Sequence, residues 1–550
     1  FFFSINKIEA FETLKHFYSL FILYYAISYT LSIESIKKIL SYSIHTAFLV
    51  SIIALIQTFT SEGFTLQETV TSTFGHSNIL AQYLIAIFPF SFCRSIEKNM
   101  NYSYISLFEM PVIFAALMVT YCRGAWLGFG ASLVLIFLVI LRRKTLLVKG
   151  YSFKLFIFIT VGIFLISIPI LLKNPGVITS LVNYKKISES KASEDISYDA
   201  VSKSKTIRQR KAIWQATSQI IWENPIIGIG VGNFKIHIPK YMKINENSKE
   251  RPVVKWAHND LLQISAESGL LSAFVFILII VRIFVKFFSV KNFEKITILV
   301  IPCGASAIAT LVQSQTSFNF YQTLPSLFFF LSSAVIVNSE KMQFVDFSSK
   351  KMRYERSFLI FFIVFIMASA LYFIKQPIAE IYYVKASISM QKSDWEKSKF
   401  YIEKCLSLNS KKGKYLYSAA LASFALSDEY KAFEYAKRAK GLTPYVVDVL
   451  KLYLFSSNEC GNLEYDKKNY DKAVYYYRES VKTFDELFTL PLTMKEEKNF
   501  RNLASIAYYN LGNTLMKKGD FKGARSAFEN SLSFNPKYFP SKKALKEIVY

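Results

Sequence analysis

The chain has 550 residues, 52% of them hydrophobic and 16% aromatic, and its 66 Lys and Arg against 40 Asp and Glu give a net charge of +26. A mean hydropathy of +0.26, with the apolar residues gathered into long blocks, excludes an ordinary soluble protein. Much of the positive excess flanks those blocks, which sets nucleic acid aside in favour of anionic lipid as its partner.

Taken in chain order, the blocks that approach the roughly 20 residues needed to cross a bilayer begin with Phe11 to Leu31, Ile39 to Phe59, Ser77 to Cys93, Ile105 to Tyr121 and Ala125 to Leu141. Phe153 to Leu172, Leu270 to Val285, Ile296 to Val312, Pro325 to Val337 and Phe358 to Ile374 follow. They predict about ten transmembrane helices. The sequence opens on Phe1-Phe2-Phe3 instead of Met, so further spans are expected upstream. Lys37 and Lys38, Arg94 and Lys98, Arg142 to Lys149, Arg282 to Lys295, and Lys350 to Arg356 fall in alternate loops. The positive-inside rule makes those loops cytoplasmic. Thr60 to His76, the turn Cys122-Arg123-Gly124, the interval Lys173 to Trp256, and Gln313 to Leu324 are then external. Every polar motif of interest shares that face.

The turn at Arg123 is too short to carry its guanidinium far from the bilayer. There it either snorkels to lipid phosphate or grips an anionic head in the paired, directional way of a planar fork. Gly124, Ala125 and Gly128 shape a helix face for close packing. Arg210 begins an amphipathic stretch in which Ile213, Trp214, Thr217, Ile220 and Ile221 recur at helical spacing, so a lipid-facing interfacial helix is the plainer reading there. Gly228, Gly230 and Gly232 match no nucleotide-loop spacing and predict a turn that needs small residues. His258, one of five histidines, stands just before Asn259 and Asp260 where loop meets membrane. An interfacial hydrogen-bonded residue or a general base both fit that place; an imidazole titrates near neutrality, which suits the second role. The five cysteines form no disulfide framework, CxxC or Cys/His metal spacing.

From Gln376 onward the chain turns amphipathic, Lys- and Tyr-rich, and repetitive. Tyr508, Gly512, Leu515, Ala524, Phe528, Ser531 and Pro536 sit at tetratricopeptide spacing. Ala420, Ala432, Ala436, Ala439 and Pro444 repeat much of it. Gly461, Ala473, Tyr477 and Ser480 make a third copy, and Ser398, Ile402 and Cys405 a weaker one. Such an array binds a partner or caps the structure.

Five marks stand in order around one long external loop. They are Gly75-His76-Ser77-Asn78-Ile79-Leu80-Ala81, Cys122-Arg123-Gly124-Ala125-Trp126-Leu127-Gly128, Arg210-Lys211-Ala212-Ile213-Trp214, Asn224 to Phe234, and His258-Asn259-Asp260-Leu261-Leu262-Gln263 with Glu267 and Gly269. On these the segment Phe74 to Pro325 resembles the O-antigen ligase and polymerase superfamily of bacterial cell-surface glycan enzymes. The resemblance implies an all-α, polytopic GT-C bundle over 1–375, with external loop 173–263, in the bacterial inner membrane. An α-solenoid of tetratricopeptide repeats over 376–550 is expected on the external side. It further implies transfer of a glycan from an undecaprenyl diphosphate donor to a lipid, sugar or protein acceptor, with inversion and with no metal or cofactor. His258 would be the catalytic base, Arg123 and Arg210 the diphosphate ligands, and Asn259 and Asp260 would join the substrate site. Cys122 stands where the family often has Ser, and the His-Asn-Asp wording varies among members. Two other classes compete. A flippase for the same lipid predicts mid-membrane charges and internal symmetry, of which Glu109 is a meagre sign. A membrane-anchored repeat scaffold leaves the Arg and His residues idle.

Overall fold

The computed structural model describes residues 3–30, 32–60, 70–95, 100–142, 198–242, 254–290, 293–339 and 375–548. Regular structure among them is entirely helical. In chain order come α1 (Lys7–Thr30), α2 (Ile33–Thr60), α3 (Ser77–Ser95), α4 (Met100–Val119), α5 (Arg123–Arg142), α6 (Tyr198–Glu223) and the single turn α7 (Phe234–His237). Then follow α8 (Asp260–Ser289), α9 (Phe293–Ser314) and α10 (Thr323–Asn338). Two of these, over Ile33–Thr58 and Asp260–Ser289, are long and apolar enough to cross a bilayer. Shorter apolar helices cover Phe108–Val119, Arg123–Val139, Leu299–Ser314 and Thr323–Asn338. The expected spans Phe153 to Leu172 and Phe358 to Ile374 lie outside the described residues.

The chain divides into two compact units. One comprises Phe11–Gly232 and Trp256–Lys351. Its core is built on α3, which is buried from Leu80 to Cys93 and packs against α4 and α9. Such all-round burial matches its all-round apolar sequence. The helices meet closely where small residues allow it. A Cβ on Gly128 of α5 would come within 2.5 Å of the Ala309 carbonyl oxygen in α9. Ser306 of α9 donates to the Ala86 carbonyl of α3 at 2.7 Å, joining two apolar helices by a polar contact. By contrast, α8 leaves Leu270, Leu271, Phe274, Val275, Leu278 and Val285 exposed. A contiguous apolar face of that size on a 30-residue helix is what hydrocarbon would cover.

The other unit comprises Phe1–Ala10, Asn233–Lys255 and Met352–Tyr550. Asn233, at the start of α7, accepts from the backbone N–H of Asn6 at 2.8 Å, and Lys235 pairs with Glu9 at 2.7 Å. The repeat helices are α11 (residues 375–391), α12 (Trp395–Leu408), α13 (Gly413–Ala425), α14 (Glu429–Leu442), α15 (Val447–Asp466), α16 (Tyr470–Phe488), α17 (Met494–Lys517), α18 (Phe521–Phe534) and α19 (Phe539–Ile548). The small residues of the repeat pattern do the work expected of them. A side chain on Gly461 would strike Tyr477 at 2.7 Å, and one on Gly512 would strike Phe528 at 2.6 Å. Turns recur in one form: Ser393, Ser427, Lys468 and Gly519 take positive φ. Asp394, Asp428 and Asp520 then cap the next helix through their side chains.

Candidate active site

Two of the polar motifs fold into each other. The turn Pro225–Gly232 lies on α8 where Gly269 breaks it with φ 84° and ψ 166°. Ile229 N–H donates to the Ala266 carbonyl at 3.0 Å, Gly230 N–H to that of Glu267 at 2.9 Å, and Leu270 N–H to that of Pro225 at 2.8 Å. The carbonyls left unpaired by the break in α8 thus find donors in the turn. Only glycine permits the approach. A Cβ on Gly269 would stand 2.0 Å from the Ile226 carbonyl oxygen, and one on Gly228 would stand 2.5 Å from the Glu267 carbonyl carbon. The glycines therefore shape a clasp, as their spacing predicted.

Beneath the clasp is a buried polar network. Glu267, 1% exposed, accepts from Gln263 Nε2 at 2.9 Å and from the Tyr321 hydroxyl at 2.9 Å. Burial, then the carboxylates of Glu267 and Asp260, hold the Tyr321 phenol far above its usual range, so it stays protonated and donates. Asp260, also 1% exposed, accepts from Phe320 N–H at 3.1 Å and anchors the turn Asn319–Tyr321. Asp260 was expected in the substrate site. In the structure its Oδ2 has that backbone partner in the interior, while its buried Oδ1 has no hydrogen-bond partner among the described residues.

On this frame His258 is held from both sides. Ala257 before it accepts from Trp214 Nε1 at 2.9 Å and donates to Gln263 Oε1 at 2.6 Å. Asn259 after it caps α8 by accepting from Leu262 N–H at 3.0 Å and donates to the Gln315 carbonyl at 3.2 Å. His258 itself adopts φ 52°, a left-handed backbone that costs a non-glycine residue energy and persists where neighbours impose it. Its ring meets Phe318 edge-on, centroids 5.4 Å apart. Phe318 in turn stacks on Trp256. Among the described residues, the buried His258 Nδ1 has no hydrogen-bond partner.

Among the described residues, the charged groups that act on His258 are Arg210 and His76. Burial first, then Arg210, then His76 push the His258 imidazole down to about 4. Arg210 is likewise lowered, by burial and by repulsion from Arg123, while Cys122 opposes the shift. Arg210 is half-buried, and among the described residues no carboxylate acts on its guanidinium. Arg123 opens α5 and is exposed. Next to it, burial raises the Cys122 thiol, whose Sγ accepts from Gln313 Nε2 at 3.5 Å. Gly124 faces Thr316, where a Cβ would come within 2.2 Å of the hydroxyl oxygen. So Arg210 lies within electrostatic reach of both Arg123 and His258, residues far apart in the sequence. His76 joins them, a residue that the sequence offered only within a longer motif. Its Nδ1 accepts from Asn78 N–H at 3.1 Å, which leaves the neutral ring's proton on Nε2. The spacing of Gln313, Phe318 and Tyr321 carried no sign of their part in the frame.

Residues 110–277, which include Arg123, Arg210 and His258, match the family model described as O-antigen ligase. Residues 379–412 and 505–538 each match a tetratricopeptide repeat. No curated protein matches the chain. Among solved structures, MamA 41-end from Desulfovibrio magneticus RS-1 is similar at 15% identity over 31% of this chain and 82% of its own, with a TM-score of 0.22. Pseudomonas aeruginosa pilF follows at 17% identity, 32% and 69% coverage, and 0.20. YrrB, titled a TPR protein with an unusual peptide-binding site, follows at 15%, 30% and 90%, and 0.18. The chain therefore carries an O-antigen ligase domain match over residues 110–277 and tetratricopeptide repeats in its C-terminal region.

Proposed function

We propose that the chain is a polytopic, inverting membrane glycosyltransferase that moves a glycan from an undecaprenyl diphosphate donor to an acceptor hydroxyl on the external face. One observation carries the reading: the Arg210 guanidinium lies within the field of both Arg123 and His258, and among the described residues the charges acting on it are Cys122 and Arg123. Cations gathered against their own repulsion are stabilised by an anion from outside, and a diphosphate supplies one in the geometry that arginine forks match. In this reading Arg123 and Arg210 hold the diphosphate, and His258 takes the proton from the acceptor hydroxyl. The acceptor oxygen forms its bond to the anomeric carbon as the bond from that carbon to the phosphate oxygen breaks. The electron pair leaves with undecaprenyl diphosphate, whose growing charge the arginines stabilise. Asn259 and Asp260 act through the fold, by setting the start of α8 and the turn that bears Phe318 to Tyr321.

The low basicity of His258 gives the sequence of events an order. In the empty site the imidazole is neutral but a weak base. A bound diphosphate offsets Arg210 and raises its affinity for a proton, so basicity rises when the donor is in place. The test is transfer from undecaprenyl diphosphate-linked glycan by the reconstituted full chain, with and without chelator. Transfer is expected in both. His258→Ala should lower the rate about 10²–10⁴-fold, as loss of a general base does, and Arg210→Gln about 10²–10³-fold, as loss of an oxyanion-type contact does. Wild-type rates in both variants, with normal insertion, would remove the assignment. Mass analysis of the product separates glycolipid, glycan and protein acceptors; the repeats favour a protein as acceptor or as recruited partner.

A further inference from the structure

The helix α11 is apolar on two opposite faces. Ala379, Tyr383, Ala386 and Met390 turn inward, against Cys405, Ile402, Tyr415 and Ala419 of the next two helices. On the other side Ile378, Ile381, Val384 and Ile388 recur three or four residues apart and remain between 38% and 57% exposed. Scattered exposed apolar residues need no account, but a continuous row of branched ones on a helix whose other face is already packed calls for a cover. On the neighbouring helix Phe400 is exposed as well, and Lys404 Nζ lies 4.3 Å from its ring.

Charge says what covers it. Lys375 and Lys392 bracket the row at the two ends, and Lys385 edges it with its ammonium over the Tyr382 and Tyr401 rings. The helix carries one carboxylate, Glu380, which is turned to the next repeat by Lys412 at 2.7 Å and Tyr415 at 2.9 Å. The exposed side therefore presents branched aliphatics rimmed by cations and no acid. In sequence, α11 follows directly on the apolar run Phe358 to Ile374. Aliphatics that reach the acyl boundary, with lysines that snorkel to headgroups, are the pattern of an interfacial helix.

We infer that the Ile378–Ile381–Val384–Ile388 face of α11 lies in the interface of an anionic bilayer and docks the repeat array on the membrane. The inference does not depend on transfer activity. It is tested on the full chain in phosphatidylglycerol and phosphatidylcholine vesicles, with an environment-sensitive fluorophore on Ile381→Cys or Ile388→Cys and, as a reference, on exposed Ser533→Cys. A Cys122→Ser background removes the half-buried native thiol, the other four being buried. Spin-labelled acyl chains are expected to quench both α11 probes at least about twofold more than the reference, as shallow burial predicts. Replacing phosphatidylglycerol by phosphatidylcholine should weaken that quenching, because the lysines lose their partner. Solvent-like emission at 381 and 388 would overturn the proposal. So would blue-shifted emission that lipid spin labels do not quench, since a second copy or another protein would then be the cover. Quenching indifferent to phosphatidylglycerol would overturn the part assigned to the lysines.

Discussion

Between pH 6.5 and about 4, His258 stays neutral where a solvent histidine takes up a proton. The direction follows from its surroundings: burial penalises the imidazolium, and Arg210 and His76 repel it. Site-resolved modification by diethyl pyrocarbonate, read by peptide mass analysis over pH 3 to 8, is expected to show a midpoint for His258 well below 6.5 in the unliganded chain. Adding the donor lipid should move that midpoint up, since a bound anion favours the charged ring. A midpoint at the ordinary value without donor would mean that Arg210 and His258 do not share one site. His258 was visible in the sequence because few histidines occur and this one adjoins a polar motif. Arg210, which repels its imidazolium, was offered by the same motifs, whereas the ring of Phe318 was not, since it reaches His258 only through the fold.

At the scale of elements, the clasp between the glycine turn and α8 depends on two positions without side chains. In Gly269→Ala the methyl would both collide with the Ile226 carbonyl and hold φ 84° against its preference. Strain of that kind costs about 1–3 kcal/mol, and the collision adds to it. The expected outcome is a chain that still inserts but melts earlier in detergent and loses most of its transfer, because Glu267 and the start of α8 move with the turn. An unchanged melting temperature would show that the turn can peel away without loss. Here the sequence was informative in kind but not in pairing. Glycine spacing announced a tight turn, whereas the partner, a helix break 37 residues on (269 minus 232), is a matter of tertiary hydrogen bonding. Among the described residues, the apolar blocks of the sequence fall on helices. For Asp260 the sequence carried no sign of its partner, the Phe320 amide, which is 60 residues away.

For the molecule as a whole, the repeats were the most legible part, because small residues opposite aromatics recur at a fixed offset and each pair is a local contact. Gly512→Ala should therefore act locally. Its methyl has no room beside Phe528, and overpacking of this kind costs about 1–3 kcal/mol. Limited proteolysis is expected to cut the α17 to α19 region of that variant sooner, with transfer from donor to a small soluble acceptor unaltered. A matching fall in that transfer would tie the array to the chemistry itself instead of to recruitment.

The route of the backbone between the two interlocked motifs has a corollary of its own. The chain departs at Gly232, spends Asn233–Lys255 as part of the repeat unit, and comes back at Trp256. The hydrogen bonds that register turn against helix all lie outside this detour. A change of length within the detour is thus expected to leave the Ile229, Gly230 and Leu270 hydrogen bonds of the clasp in place.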